Sequence, residues 1–275
     1  MNTIKTTLLL GAMTSLLLVM GEVLGGRDGM AIALLLAGLM NFGAFFWSDK
    51  IVLGMYGAQP VSAEEAPELY AIVQGLSQRL GMPMPRLYVL PERALNAFAT
   101  GRGPHHAAVA ATAGILQAMD REELEGVLAH ELSHVVNRDT LVSTVAATLA
   151  GAITFLSRSF LYRGRDRDSG GGLLGLLMLL LAPLAAMLIQ LAVSRSREYG
   201  ADESGARLVG YPDGLARALR TLQTAAEKIP MQDPNPATAH MFIVNPLTGS
   251  FFGRLFSTHP PLEERIARLM AMKGR

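Results

Sequence analysis

Four stretches without a charged residue divide this 275-residue chain: residues 6–21, 29–48, 140–157 and 169–194. Runs of this length belong in a bilayer or in a wholly apolar core, and a bilayer span takes about 20 residues. Residues 6–21, bounded by Lys5 and Glu22, are slightly short for a span, which snorkelling ends offset. The second block closes with Phe45, Phe46 and Trp47, an aromatic cluster of the kind that sits at a membrane interface. Gly25-Gly26-Arg27-Asp28-Gly29 between the two is a turn sequence, so residues 1–49 read as a transmembrane hairpin. A signal peptide is the rival for the first block, and a pair of core helices is the rival for both. The A-x-A-like cleavage pattern is missing and a second apolar block follows at once, which favours a retained hairpin.

Half of the residues are hydrophobic, only 17% are charged and the mean hydropathy is +0.30, too apolar for an ordinary soluble enzyme. The formal net charge of +1, without a clustered basic motif, argues against a nucleic-acid partner. There is no cysteine, so disulfides are excluded and any metal has to be held by His, Asp or Glu.

Residues 50–139 are polar. Ser62-Ala63-Glu64-Glu65 reads as a capping box for a helix that runs to about Leu80, with Gly81 as C-cap. Arg86–Leu90, Leu95–Thr100 and Ala107–Thr112 read as short strands, with Gly101-Arg102-Gly103-Pro104 as the turn between the last two. Asp120-Arg121-Glu122-Glu123 is a second capping box, and Leu124, Val127, Leu128 and Val135 follow at helical spacing.

That helix carries His130-Glu131-Leu132-Ser133-His134, an H-E-x-x-H run. Residues four apart share a helix face, so the two imidazoles point at a common position. Glu131, about 100° further round, can act on a water beside a metal without taking a ligand position, as a general base does. A catalytic zinc site needs a third protein ligand and an open position. Glu198 and Asp202, four apart just after the fourth apolar block, are the downstream candidates. One could ligate and the other hold a histidine ring; a solvated acidic pair at a helix start is the bland alternative.

His130 and Glu198 can share a metal only on one side of a membrane, so the number of crossings between residues 139 and 195 must be even. Two spans satisfy this, and so does none. Lys50, Arg79, Arg86, Arg93 and the basic segment from Arg195 favour the cytoplasmic side, but crossing blocks would put Arg158, Arg163, Arg165 and Arg167 outside, against the positive-inside rule. Block length favours crossing.

Residues 195–275 are polar again. Tyr211-Pro212-Asp213 opens a helix through Leu215, Leu219 and Leu222. After a loop at about residues 229–255, Thr258-His259-Pro260-Pro261 leads into a last amphipathic helix. Leu262, Ile266 and Leu269 form its apolar side, with Glu263, Glu264, Arg265 and Arg268 assigned to the polar one.

Four motifs carry a resemblance: residues 130–139 (HELSHVVNRD), 196–202 (SREYGAD), 96–101 (NAFATG) and 256–261 (FSTHPP). Together they make the chain resemble, over nearly its whole length, the HtpX family of bacterial membrane zinc metalloproteases and, more widely, the group that includes the CAAX prenyl proteases. The resemblance implies one zinc ion per chain on His130, His134 and Glu198, with Asp202 supporting the site from behind. It implies that Asn96 lies in a strand beside the substrate backbone, and that His259 lies near the active site, where it could stabilise the oxyanion. Without it, His259 is a helix-entry histidine. His105, His106 and His240 read as loop histidines.

The expected fold is mainly α with a small β-sheet (α+β): an integral membrane protein with about four apolar helices and a gluzincin-type catalytic domain. Residues 1–49 form the first hairpin and 140–194 the second; residues 50–139 and 195–275 build the catalytic domain. The resemblance implies a multi-pass protein of the inner membrane whose catalytic domain faces the cytoplasm and degrades misfolded or damaged membrane proteins, as in a stress response. A CAAX-type processing peptidase and a non-enzymatic scaffold with a structural metal are the alternatives. The partners expected are unfolded or membrane-embedded protein substrates and the lipid bilayer; nothing in the sequence fixes an oligomeric state.

Overall fold

The computed structural model describes residues 2–149, 195–228, 241–243 and 260–273. It is mostly helical, with one small mixed sheet. Helix α1 (Asn2–Met55) is two helices that fold back on each other at Gly25-Gly26. Gly26 takes φ 57°, ψ −142°, a conformation only glycine adopts freely. The arms are tied together: Asn41 donates from Nδ2 to the Leu10 carbonyl (3.3 Å) and to Thr14 Oγ1 (2.8 Å).

The turn is tighter than the sequence implies, because Arg27 and Asp28 already belong to the second arm. That arm, Gly25–Met55, has 31 residues and is long and apolar enough to cross a membrane. At 1.5 Å per residue it spans about 46 Å, against about 30 Å of hydrocarbon. Among the described residues it is the one helix of that kind; Thr6–Val19 and Asp139–Leu149 are shorter apolar helices. The arrangement of four spans stays an expectation. Residues 150–194, with the fourth block and the Arg158–Asp168 loop, lie outside the described residues.

The sheet comprises β1 (Gln59–Pro60), β2 (Arg86–Leu90), β3 (Ala97–Gly101) and β4 (Ala107–Thr112), in the order β1-β2-β4-β3. β2 and β4 are parallel; the other pairs are antiparallel. β3 is therefore an edge strand. It begins two residues later than the sequence pattern suggests, since the Asn96 amide bonds to Thr112 Oγ1 (3.0 Å) outside the ladder. Side chains alternate cleanly. Leu87, Ala97, Ala99, Val109 and Ala111 face the main core, while Leu90, Phe98, Ala108 and Ala110 meet Val52 and Leu53 of α1. Both faces are buried, which a strand of small apolar residues such as β4 permits.

Around the sheet pack α2 (Pro67–Leu80), the short α3 (Ala113–Ala118), α4 (Arg121–Val136), α5 (Asp139–Leu149), α6 (Arg195–Val209), α7 (Pro212–Lys228) and α8 (Leu262–Met272). The Ser62 box is half-formed: the Ser62 amide donates to Glu65 Oε2 (2.8 Å), but residues 63–65 are turn and the helix starts at Pro67. Proline suits a first helical position because that N–H has no intrahelical partner. Gly81 closes α2 in the left-handed conformation, as expected. The first half of the third apolar block is α5, and it is buried against the sheet: Thr140 Oγ1 donates to the Gly101 carbonyl (3.0 Å) and Thr144 meets Thr100 (3.1 Å).

Candidate metal centre

The site is built on α4. Its capping box is complete, with Asp120 Oδ1 accepting from the Glu123 amide (2.8 Å) and Glu123 Oε2 from the Asp120 amide (3.1 Å). Leu124, Val127, Leu128, Leu132 and Val135 anchor the helix in the core. The rings of His130 and His134 then stand edge to face, 4.8 Å apart.

Helix α6 crosses α4 closely because Gly205 has no side chain. A Cβ there would lie 2.9 Å from the His130 amide nitrogen. The approach brings Glu198 to the two imidazoles: Oε2 is 3.7 Å from His130 Nε2, and Oε1 is 3.4 Å from His134 Nε2. Ligand atoms of these three residues lie within 4.8 Å of one another.

Both imidazoles are oriented from behind. His130 Nδ1 lies 2.9 Å from Asp202 Oδ1, and His134 Nδ1 lies 3.1 Å from Asp139 Oδ2. With each Nδ1 facing a carboxylate, each Nε2 faces Glu198, the arrangement that fixes the tautomer of a metal-binding histidine. Asp202 thus stands where its spacing from Glu198 suggests. Asp139 is a residue that sequence reasoning did not single out, although it closes the HELSHVVNRD run; Arg197 Nη1 contacts it at 3.4 Å.

Arg265 overturns one expectation. The sequence reading puts it on the polar side of the last helix, but its side chain is 0% exposed. It donates to Asp202 through Nε (2.8 Å) and Nη2 (2.7 Å) and lies 3.7 Å from Glu198. The signal was in the spacing: Leu262, Arg265, Ile266 and Leu269 follow i, i+3, i+4, i+7 and share one face. A guanidinium can be buried there because a carboxylate meets it in bidentate fashion.

Glu131 is buried, and its Oε2 accepts from the Ala99 amide of β3 (3.0 Å). Burial pushes its carboxyl above the usual range, against the pull of the imidazoles and that hydrogen bond. Burial also pushes Asp202 up, but Arg265 outweighs it and holds the carboxyl below its ordinary value.

The donor set fits a divalent ion. Ligands around a tetrahedral zinc at 2.0–2.2 Å are about 3.3 Å from each other. The separations of Glu198 from the two imidazoles, 3.4 and 3.7 Å, are close to that. Among the described residues Glu131, Glu198, Asp202 and Asp139 gather around the two imidazoles, with Arg265 and Arg197 as the fixed cations beside them, a carboxylate-rich donor set. The cavity beside it measures about 50 Å³, enough for an ion with a water.

Asn96 immediately precedes β3. It is buried; its Oδ1 accepts from the Ile243 amide (3.2 Å), which draws Met241–Ile243 onto the cavity wall. Its Nδ2 has no hydrogen-bond partner among the described residues. His105 and His106 are exposed in a 3₁₀ turn (Pro104–His106), away from the cluster. His240 and His259 lie outside the described residues, so the site is drawn without the expected oxyanion residue.

Residues 63–273 match the family model of Peptidase family M48. The protease HtpX homolog of Desulfatibacillum aliphaticivorans is 56% identical over 276 residues, covering 98% of this chain and 89% of that protein. That of Salinibacter ruber is 55% identical over 278 residues, covering 100% and 99%. The crystal structure of S. mikatae Ste24p shares the fold, with a TM-score of 0.53 at 21% identity, over 94% of this chain and 62% of that one.

Proposed function

The chain belongs to peptidase family M48 and is a membrane metalloprotease, and from that premise we propose that it is a zinc-dependent endopeptidase that cuts unfolded segments of misfolded or damaged membrane proteins on the cytoplasmic side of the inner membrane. The observation that carries the reading is the convergence of His130, His134 and Glu198, with Glu131 beside them and against β3.

His130, His134 and Glu198 would hold the ion. Asp202 and Asp139 keep the two rings turned towards it. When bound, zinc supplies Lewis acidity, which polarises the scissile carbonyl and acidifies a water. Glu131 takes the proton from the attacking water and delivers it to the leaving amine. Its carboxyl is buried beside the two imidazoles and is held there by the Ala99 amide.

The edge of β3 supports the choice of substrate. A strand paired on one side only, with its middle residue Ala99 bonded to Glu131, can hold an extended peptide by backbone pairing. A folded segment, whose backbone groups are already paired, cannot use that edge. Asn96, next to the strand and with Nδ2 unpartnered among the described residues, is the side chain assigned to the substrate backbone. The positive-inside pattern around Lys50, Arg79, Arg86 and Arg93 supports the cytoplasmic side.

Elemental analysis and casein cleavage in detergent test the proposal together. Glu131→Gln is expected to retain zinc and lose about 10²–10⁴-fold in rate. Glu198→Ala is expected to lose the metal. Full cleavage by Glu131→Gln would overturn its role as the base. Preference for a prenylated peptide over casein would favour a processing peptidase, and four protein ligands on the ion would favour a structural metal.

A further inference from the structure

We propose that the groove between the end of α1 and the β3–β4 turn binds the headgroup of an anionic phospholipid. The groove measures about 520 Å³, within the range of small-ligand sites. One wall is the aromatic end of the apolar helix: Phe42, Phe46 and Trp47 are 53%, 40% and 51% exposed, and the Phe42 ring meets Phe46 tilted at 4.5 Å and Trp47 edge to face at 5.7 Å. Rings in this position mark the depth at which headgroups lie. Leu35, Leu36 and Leu39 on the same helix are exposed as well, so an acyl chain has an apolar wall directly beside the groove.

The rest of the lining is basic. Lys50 follows the aromatic cluster, and Arg102, His105 and His106 come from the turn. Arg102 lies over the Phe46 ring, 4.9 Å from its centroid, which ties the turn to the belt by a cation–π contact. Among the described residues lining the groove Asp49 is the one carboxylate, and it is paired with Arg86. Lys50 and Arg102 are therefore not neutralised by the described lining of the groove, and a phosphodiester at headgroup depth supplies the missing charge. A free phosphate would satisfy the cations but leave the aromatic wall and the exposed leucines unused. The lipid is the occupant that uses both surfaces. His105 and His106, which have no place in the metal centre, gain a role as its polar rim.

The inference rests on the membrane reading, and alkaline carbonate extraction tests that reading separately. A chain that washes off the membrane sinks both. For the groove itself, Trp47 is the only tryptophan in the chain and reports from the wall. The full chain in neutral detergent is titrated with dioctanoyl phosphatidylglycerol, dioctanoyl phosphatidylcholine or inorganic phosphate. The expected result is a saturable change in Trp47 emission with phosphatidylglycerol, about tenfold weaker binding of phosphatidylcholine and no saturation by phosphate. Lys50→Gln with Arg102→Gln is expected to abolish the preference while casein cleavage persists. Lys50→Glu alone, which leaves the Arg102–Phe46 contact in place, is expected to weaken phosphatidylglycerol binding as well. Equal response to the two lipids, saturation by phosphate alone, or unchanged preference in Lys50→Glu would overturn the site.

Discussion

Arg265 grips Asp202 through two hydrogen bonds of 2.7 and 2.8 Å. Asp202 in turn lies 2.9 Å from His130 Nδ1, so helix α8 reaches the first of the proposed ligands through one carboxylate. Residues 135 positions apart are thereby coupled. Arg265→Lys keeps the charge but loses the planar fork. Metal affinity, read by competition with a chelator, is expected to fall about 10–100-fold, as when other groups behind a ligand are changed. Arg265→Ala leaves Asp202 buried without its partner and is expected to cost about 3–5 kcal/mol in unfolding free energy. Native metal affinity in Arg265→Lys would reduce the pair to a packing contact.

Asp139 does for His134 what Asp202 does for His130, with Oδ2 3.1 Å from Nδ1. Asp139→Ala frees the ring to rotate and removes the acceptor that fixes its tautomer. Metal affinity is expected to drop about 10–100-fold, with Asp139→Asn in between because an amide oxygen can still accept. If Asp139→Ala binds metal as the parent does, the ring is held by packing alone.

Much of this centre is legible in the sequence because its parts obey local rules. His130 and His134 follow from a four-residue spacing on a capped helix, and Glu198 with Asp202 from the same spacing on another. The resemblance then assigns which of the two acidic residues ligates. Arg265 is misread because a guanidinium on an amphipathic helix ordinarily faces water, and only a partner elsewhere in the chain lets it turn inward. β1 is two residues long and has no periodicity to detect. The parallel pairing of β2 with β4 is a long-range fact: β3 lies between them in sequence but outside them in space. Ser62 misleads for a similar reason, since Pro67 fixes the start of α2 more firmly than a cap five residues earlier.

Proton release on metal loading should be measurable. In the metal-free protein burial pulls the His134 imidazole down, but hydrogen bonds to Asp139 and Glu198 outweigh it and hold the pKa at about 10. The unfolded value is about 6.5, so this group stabilises the metal-free fold fully below pH 6.5 and progressively less as pH rises towards 10. A metal ion needs the neutral ring and so displaces the proton. Calorimetry at pH 8 in buffers of different ionisation enthalpy is expected to show about one proton released per ion bound. A net release near zero would mean that His134 enters the site already neutral.

Gly205 offers the sharpest separation of packing from chemistry. A Cβ there would meet the His130 amide nitrogen at 2.9 Å and the Ala129 carbonyl carbon at 3.1 Å, both backbone atoms that cannot swing aside. Gly205→Ala must therefore push α6 away from α4 and carry Glu198 off the two imidazoles. The expected cost is about 1–3 kcal/mol from overpacking, together with weaker metal binding. Gly200, on the same helix, is the control, because a Cβ there meets nothing within 4 Å. Gly200→Ala replaces a poor helix former with the best one and is expected to be neutral or to stabilise by up to about 1 kcal/mol. Thermal melting and metal stoichiometry of the two variants distinguish the cases. If both behave as the parent, the close crossing of α6 over α4 is not what sets the distance between Glu198 and His130.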